Sequence, residues 1–249
     1  DPRREKVPLS QTQLAKYQEI LREAKGAGRG AMLGAMQKLL QCCAIPVDTH
    51  APLSEQLAEC PKLKRTLDVL KNIQERGEKA LIFTRFLAIQ GVLQRAIVKR
   101  FGVFPECING SVHGNRQAVV DQFSKQEGFG ILILSPDVAG IGLNVTAANH
   151  VIHYTRPWNP AKEDQATCRA HRIGQDKPVE VYLPITVDTD NRYVTIEHAL
   201  DDLLEAKREL ARDVLFPSNS GEITSDELLA TMKNGDVLTE DQIENVTPR

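Results

Sequence analysis

A chain of 249 residues that is 41% hydrophobic and 26% charged has the composition of an ordinary soluble globular protein, with room for one sizeable core and its appendages. It contains no apolar run of about 18 residues, which excludes a membrane-spanning helix and argues against a membrane partner. Five cysteines with no CxxC pair, and a net charge of −2, exclude a disulfide scaffold, a paired zinc site and a small, purely electrostatic nucleic-acid binder.

The charge is unevenly spread. From residue 191 onward there are 6 Lys and Arg against 13 Asp and Glu, so an acidic tail masks a mildly basic body. The opening DPRREKVPLS carries no secretory pattern and reads as the cut edge of something longer. Leu14, Tyr17, Ile20 and Leu21 then fall at helical spacing, and Met32, Met36, Leu39 and Leu40 repeat that period until Pro46. The breaker-rich IPVDTHAPLSEQ reads as a loop, and Leu63, Leu67, Leu70 and Ile73 mark an amphipathic helix ending near Gly77.

From there short apolar strands alternate with helices. KALIFT, FPECIN, FGILILS, HVIHY and PVEVYLPI are the strands; FLAIQGVLQRAIVKRF, a stretch from Arg116 to Phe123, and Pro160 to Ile173 are the helices. This alternation predicts an α/β fold, and the unbroken apolar runs LIF and ILIL predict parallel strands covered on both faces. A charged helix over 195–213 follows. The polar stretch beyond Phe216 has room for one short helix and otherwise reads as loosely ordered.

Ligands of open parallel sheets collect at the carboxyl ends of the strands. The residues there are Thr84-Arg85, Asn109-Gly110-Ser111, Ser135 and the run TRPWNP. Singly, such glycines and serines make turns; together with arginine and tryptophan they offer the donors that a phosphate backbone takes. SPDVAGIGLN holds Gly140 and Gly142, where backbone can approach a ligand closely. In NPAKEDQATCRAHRIGQ, Asn159 can cap a helix that starts on Pro160. Continued at helical spacing, that helix puts Gln165, Arg169 and Arg172 on one face and turns Ala166 and Ala170 toward the sheet.

WNPAKEDQATCRAHRIGQ resembles, almost residue for residue, a signature of the Swi/Snf-type DNA-dependent ATPases of helicase superfamily two, in their C-terminal lobe. KALIFTRF, INGSVHGNRQAVVDQF and ILILSPDVAGIGLNVTAANHVIHY resemble other blocks of that lobe, and the likeness extends over roughly residues 5–215. It implies a RecA-like parallel sheet with helices on both faces over 61–190. Before it comes a helical lead-in or protrusion over 1–60, and after it a brace-like flanking helix over 191–216 and an acidic tail over 217–249.

The resemblance also implies a function: the second motor lobe of an ATP-dependent translocase on double-stranded DNA. ATP and Mg2+ would be held mainly by a missing N-terminal RecA-like lobe, since this chain has no Gly-Lys dipeptide and hence no P-loop. Arg169 and Arg172 would be catalytic arginine fingers, with Gly140, Gly142 and Gln165 at the nucleotide. Arg85, Ser111, Ser135 and Trp158 would contact DNA, while Arg116 and Phe123 would be structural, and no histidine is assigned a role. No metal ligand is expected in this lobe, and the chain alone is expected to be inert as an ATPase. Its partners would be duplex DNA, its own N-terminal lobe and further subunits of a DNA-processing, remodelling or defence complex. The location implied is intracellular: cytoplasmic in a prokaryote, nuclear in a eukaryote. Three places depart from the family pattern. Thr155 and Cys168 stand where acidic residues are usual, and Asp137-Val138-Ala139-Gly140 stands where a basic residue precedes Ala-Gly-Gly. These departures motivate the alternative of a degenerate lobe that docks DNA or protein without ATP turnover.

Overall fold

A computed structural model describes residues 2–24, 29–110, 116–137, 143–190, 192, 194–213 and 222–234. Its centre is a six-stranded sheet in the order β1-β6-β5-β2-β4-β3, with every pair parallel. The strands are β1 (Arg3–Pro8), β2 (Lys79–Phe83), β3 (Glu106–Ile108), β4 (Gly130–Leu134), β5 (His150–His153) and β6 (Glu180–Val187).

Side chains alternate across a strand, so each central strand feeds two cores. Ala80, Ile82, Ile131, Ile133 and Ile152 face one core, where they join α4 (Pro61–Glu75) and α5 (Leu87–Phe101). Leu81, Phe83, Leu132, Leu134 and Val151 face the other, with α6 (Arg116–Lys125) and α7 (Pro160–Thr167). All five residues of β2 and of β4 are buried, as the unbroken apolar runs predicted.

A third core lies beside the sheet. It is built from α1 (Gln11–Ala24), α2 (Arg29–Ala44), α8 (Ile196–Asp213) and α9 (Ser225–Asn234), and includes Tyr17, Met36, Leu40, Leu200, Leu204 and Leu228. The buried face of α1 is Gln13, Tyr17, Ile20 and Ala24, turned slightly from the apolar face read in the sequence. Gln13 is tolerated because its amide donates to the carbonyls of Cys42 and Cys43 at 3.1 and 3.2 Å.

Two elements depart from the sequence reading. Arg3–Pro8, which the sequence places in a helical lead-in, is a strand in register with β6 (Arg3 opposite Tyr182, Val7 opposite Thr186), so the lead-in contributes to the sheet. Its charges suit an edge strand, which needs only Val7 buried and is protected from further pairing by its lysine and arginines. The stretch read as a breaker-rich loop contains α3 (Leu53–Glu59), whose Leu53 and Leu57 pack on the first core. Gln56 is buried beneath it and donates to the carbonyls of Asp48 and Thr49.

Candidate functional site

Because the strands are parallel and in register, their carboxyl ends form one rim: Phe83 lies opposite both Leu134 and His153, and Ile108 opposite Leu134. The residues that follow are tied together. Thr155 accepts the Arg85 backbone N–H at 3.0 Å and donates to the Thr84 hydroxyl at 3.1 Å. The Ser135 hydroxyl accepts from the Gln90 amide at 3.1 Å, and the Asn109 amide donates to Gln90 Oε1 at 2.7 Å. Gln90, buried on α5, is thus the hub between two strand ends. Sequence reasoning passed over it because a glutamine within an apolar helix reads as a surface position.

Arg85 is exposed on this rim, its guanidinium 5.7 Å from the Phe86 ring and 5.9 Å from the Trp158 ring. Ser135 is 8% exposed, its hydroxyl committed to Gln90. Ser111 lies outside the described residues. Trp158 is 9% exposed and belongs to the third core, so its ring is covered by the chain's own helices.

α7 begins as expected: Asn159 Oδ1 accepts the Ala161 N–H at 2.9 Å and Pro160 occupies the first turn. It ends at Thr167, six residues before the end read from the sequence. The chain then tightens into turns, with Arg169 N–H bonded to Ala166 O and Ala170 N–H to Thr167 O. Gln165, Arg169 and Arg172 therefore do not share one helix face: Gln165 is exposed on α7, and both arginines lie in the turns beyond it. Ala166 and Ala170 do pack against the sheet.

The turns bring the two arginines to a single segment. Arg169 is 4% exposed, its carbonyl accepts the Val145 N–H at 3.0 Å, and its Nη1 reaches Leu143 O at 3.4 Å. Arg172 is exposed and donates to Asn144 Oδ1. In the sequence, residues 143–145 directly follow Gly140 and Gly142, two predicted positions outside the described residues. Burial, and then the neighbouring Arg172 charge, lower the proton affinity of Arg169. Among the described residues neither arginine pairs with a carboxylate, and Arg169 Nε is buried without a hydrogen-bond partner. A pair of cations left this way is suited to an anion supplied from outside.

Arg156 and Arg208 are the opposite case. Arg156 forks onto Glu163 at 2.7 and 2.8 Å and reaches Asp201, while Arg208 contacts Glu163 at 2.8 Å, Asp164 at 2.6 Å and Glu205 at 2.7 Å. Arg4 adds Glu205 at 2.5 Å and Asp201 at 3.4 Å. Burial alone would raise the Glu163 carboxyl, but the Arg156 charge and hydrogen bonds outweigh it, with His153 and Arg208 behind them, and bring it down to about 2. These ions come from four separate stretches of chain, so no local pattern announced them. A cavity of about 470 Å³ between α1, α2 and the start of α5, lined by Lys16, Glu23, Lys38, Cys42 and Ile89, contains none of the predicted site residues.

Residues 61–174 match the family described as the helicase conserved C-terminal domain. Zorya protein ZorD of Escherichia coli is 44% identical over 205 residues, covering 80% of this chain and 19% of that protein. The putative ATP-dependent helicase/translocase YwqA of Bacillus subtilis is 36% identical over 227 residues, covering 87% and 24%. The chain thus spans less than a quarter of the length of these curated relatives. The Sulfolobus solfataricus SWI2/SNF2 ATPase core in complex with dsDNA superposes with a TM-score of 0.66 at 26% identity, over 98% of this chain and 50% of that one. The C-terminal part of the Fun30 ATPase domain shares the fold, with a TM-score of 0.68 at 18% identity over the whole of both chains.

Proposed function

Since this chain belongs to the Swi2/Snf2-type ATPases of helicase superfamily two, as their C-terminal RecA-like lobe, we propose that it is the second motor lobe of an ATP-dependent translocase on double-stranded DNA. The observation that carries this reading is the pairing of Arg169 and Arg172 on residues 143–145 with no carboxylate partner among the described residues. ATP gripped by an N-terminal RecA-like lobe would meet these guanidinium groups across the cleft between lobes. There they stabilise the charge that develops on the transferring phosphoryl group, an effect commonly worth about 10³- to 10⁵-fold in rate. Gln165, Gly140 and Gly142 are assigned to the same nucleotide face.

Among the described residues no cluster of three His, Cys, Asp or Glu could hold a metal. Mg2+ and ATP are assigned mainly to the N-terminal lobe. Arg85 is the exposed cation of the strand-end rim and, with Ser111 and Ser135, is assigned to DNA phosphates. Contacts to phosphates position a duplex without reading its sequence. Further subunits of a DNA-processing, remodelling or defence complex would supply the target.

The test is ATP hydrolysis by the full-length protein with and without duplex DNA, unmodified and as Arg169→Ala and Arg172→Ala. DNA-stimulated turnover that either substitution abolishes supports the motor. A specific observation favours a second reading, a docking lobe without turnover: the Asp137 carboxylate, 81% exposed and 3.5 Å from Lys162, puts a negative charge beside the strand-end rim. Absence of DNA-dependent hydrolysis in the unmodified protein would select it.

A further inference from the structure

Residues 156–159, which connect β5 to α7, are held chiefly by the C-terminal helices. Arg156 is 7% exposed and grips Glu163 in α7 and Asp201 in α8, with Glu205 at 3.6 Å. Trp158 lies in the buried cluster shared by α1, α2, α8 and α9, and its carbonyl accepts the Ile223 N–H at 2.7 Å. From the other direction, Arg208 of α8 takes both Glu163 and Asp164 of α7.

α9 is itself well seated. Thr224 and Glu227 form a reciprocal cap, with the Thr224 N–H on the Glu227 carboxylate at 2.7 Å and the Glu227 N–H on the Thr224 hydroxyl at 3.2 Å. Lys207 of α8 pairs with Glu227 at 3.1 Å, and Ile223, Leu228 and Met232 are buried.

We propose that α8 and α9 form a positioning unit for the arginine segment, acting through Arg156 and Trp158. α7 is a short helix gripped at Glu163 and Asp164 by Arg208 of α8 and at Glu163 by Arg156, and Arg169 and Arg172 follow its far end. Whatever shifts α8 or undocks α9 therefore changes where the arginines stand. While α9 is docked, Trp158 is a positioning residue and not a DNA contact. The link to turnover rests on the motor reading given above; the mechanical link does not.

The chain contains a single tryptophan, so Trp158 reports on its own cover. The experiment compares the chain with a version ending at residue 221 and with Arg156→Lys, which keeps a charge but loses the planar fork. Removing α9 is expected to shift Trp158 emission to the red, increase its quenching by acrylamide and speed amide exchange over 160–172 by about tenfold or more. Arg156→Lys is expected to speed the same exchange while leaving the emission unchanged. In the full-length protein both changes should lower DNA-stimulated kcat by up to about 10²-fold with duplex affinity retained.

Unchanged emission after truncation, or unchanged exchange over 160–172 in both variants, would overturn the proposal. So would tighter duplex binding after truncation, because Trp158 would then be a masked DNA contact. If the unmodified full-length protein shows no DNA-stimulated turnover, the motor reading fails, while emission and exchange still decide the positioning role.

Discussion

The role proposed for Arg169 and Arg172 rests on what surrounds them. Each is held by neutral oxygens, Leu143 O for one and Asn144 Oδ1 for the other, so each keeps its full charge for an incoming anion. Arg169→Lys should therefore fall well short of the native rate in DNA-stimulated turnover, because an ammonium cannot present the planar fork. Thr155, where the family usually has an acid, still accepts the Arg85 N–H with its hydroxyl and is 3% exposed. Thr155→Val keeps the shape and removes the acceptor, and is expected to cost about 1–3 kcal/mol in urea unfolding. Thr155→Ser should be close to neutral.

His153 at the end of β5 is 1% exposed, stacked on Phe83 with Nε2 on the Thr167 hydroxyl. Burial pushes its imidazole down to about 4, so the folded protein holds it neutral where an unfolded chain would bind a proton. The stability this gives is present above the unfolded value near 6.5 and is lost as pH falls through 4, a span on the order of 3 kcal/mol. Unfolding followed from pH 7 to pH 4 should show this decline, and His153→Gln should flatten it.

Between elements, the Lys62–Glu197 pair joins α4 to α8 at 2.6 Å, with Lys62 only 1% exposed and the second Glu197 oxygen accepting the Thr186 N–H at 2.9 Å. A buried pair of this kind is costly to break from one side, because the other charge is left without a partner. Lys62→Met is expected to destabilise the chain by about 3–5 kcal/mol in chemical denaturation. Lys62→Met with Glu197→Gln should recover much of that loss. The pair explains how a helix outside the sheet is locked to the sheet's first core. It also explains why α8 can act as a fixed platform for α7.

Across the whole molecule, α8, which helps to enclose the third core, and α7 supply the anions for Arg4, Arg156 and Arg208, so acid should loosen the assembly in a definite order. Glu163 and Glu78 are each brought down to about 2: burial opposes this at both, and Arg156 outweighs it at Glu163, as Lys177 and His150 do at Glu78. A carboxylate with a depressed value stabilises the fold above its ordinary unfolded value near 4.3, and that contribution disappears as pH falls toward 2. The pH profile should therefore show the histidine step first and the carboxylate step below it. A profile flat between pH 4 and pH 2 would contradict this contribution of the Glu163 and Glu78 ion pairs.

The β/α alternation, the two-sided burial of β2 and β4, and the cap and start of α7 were legible in the residues, because each follows from local periodicity or from a contiguous motif. The strand at Arg3–Pro8 was not legible, since an edge strand needs little apolar content and is recognised only by its partner β6. The early end of α7 was hidden because helical spacing continues past Thr167, and only the bonds to residues 143–145 turn the arginines off the helix axis. Gln90 as hub of the rim and the Arg156 cluster were beyond reach for a related reason: their partners are brought together from distant stretches of chain by the packing of the sheet against α7 and α8. Sequence by itself determined which family this lobe belongs to, because residue types and short spacings encode it. Tertiary structure alone decided which of those residues are exposed, as Arg85 and Arg172 are, and which, like Arg169 and Trp158, are largely covered, because burial is a property of the packed molecule.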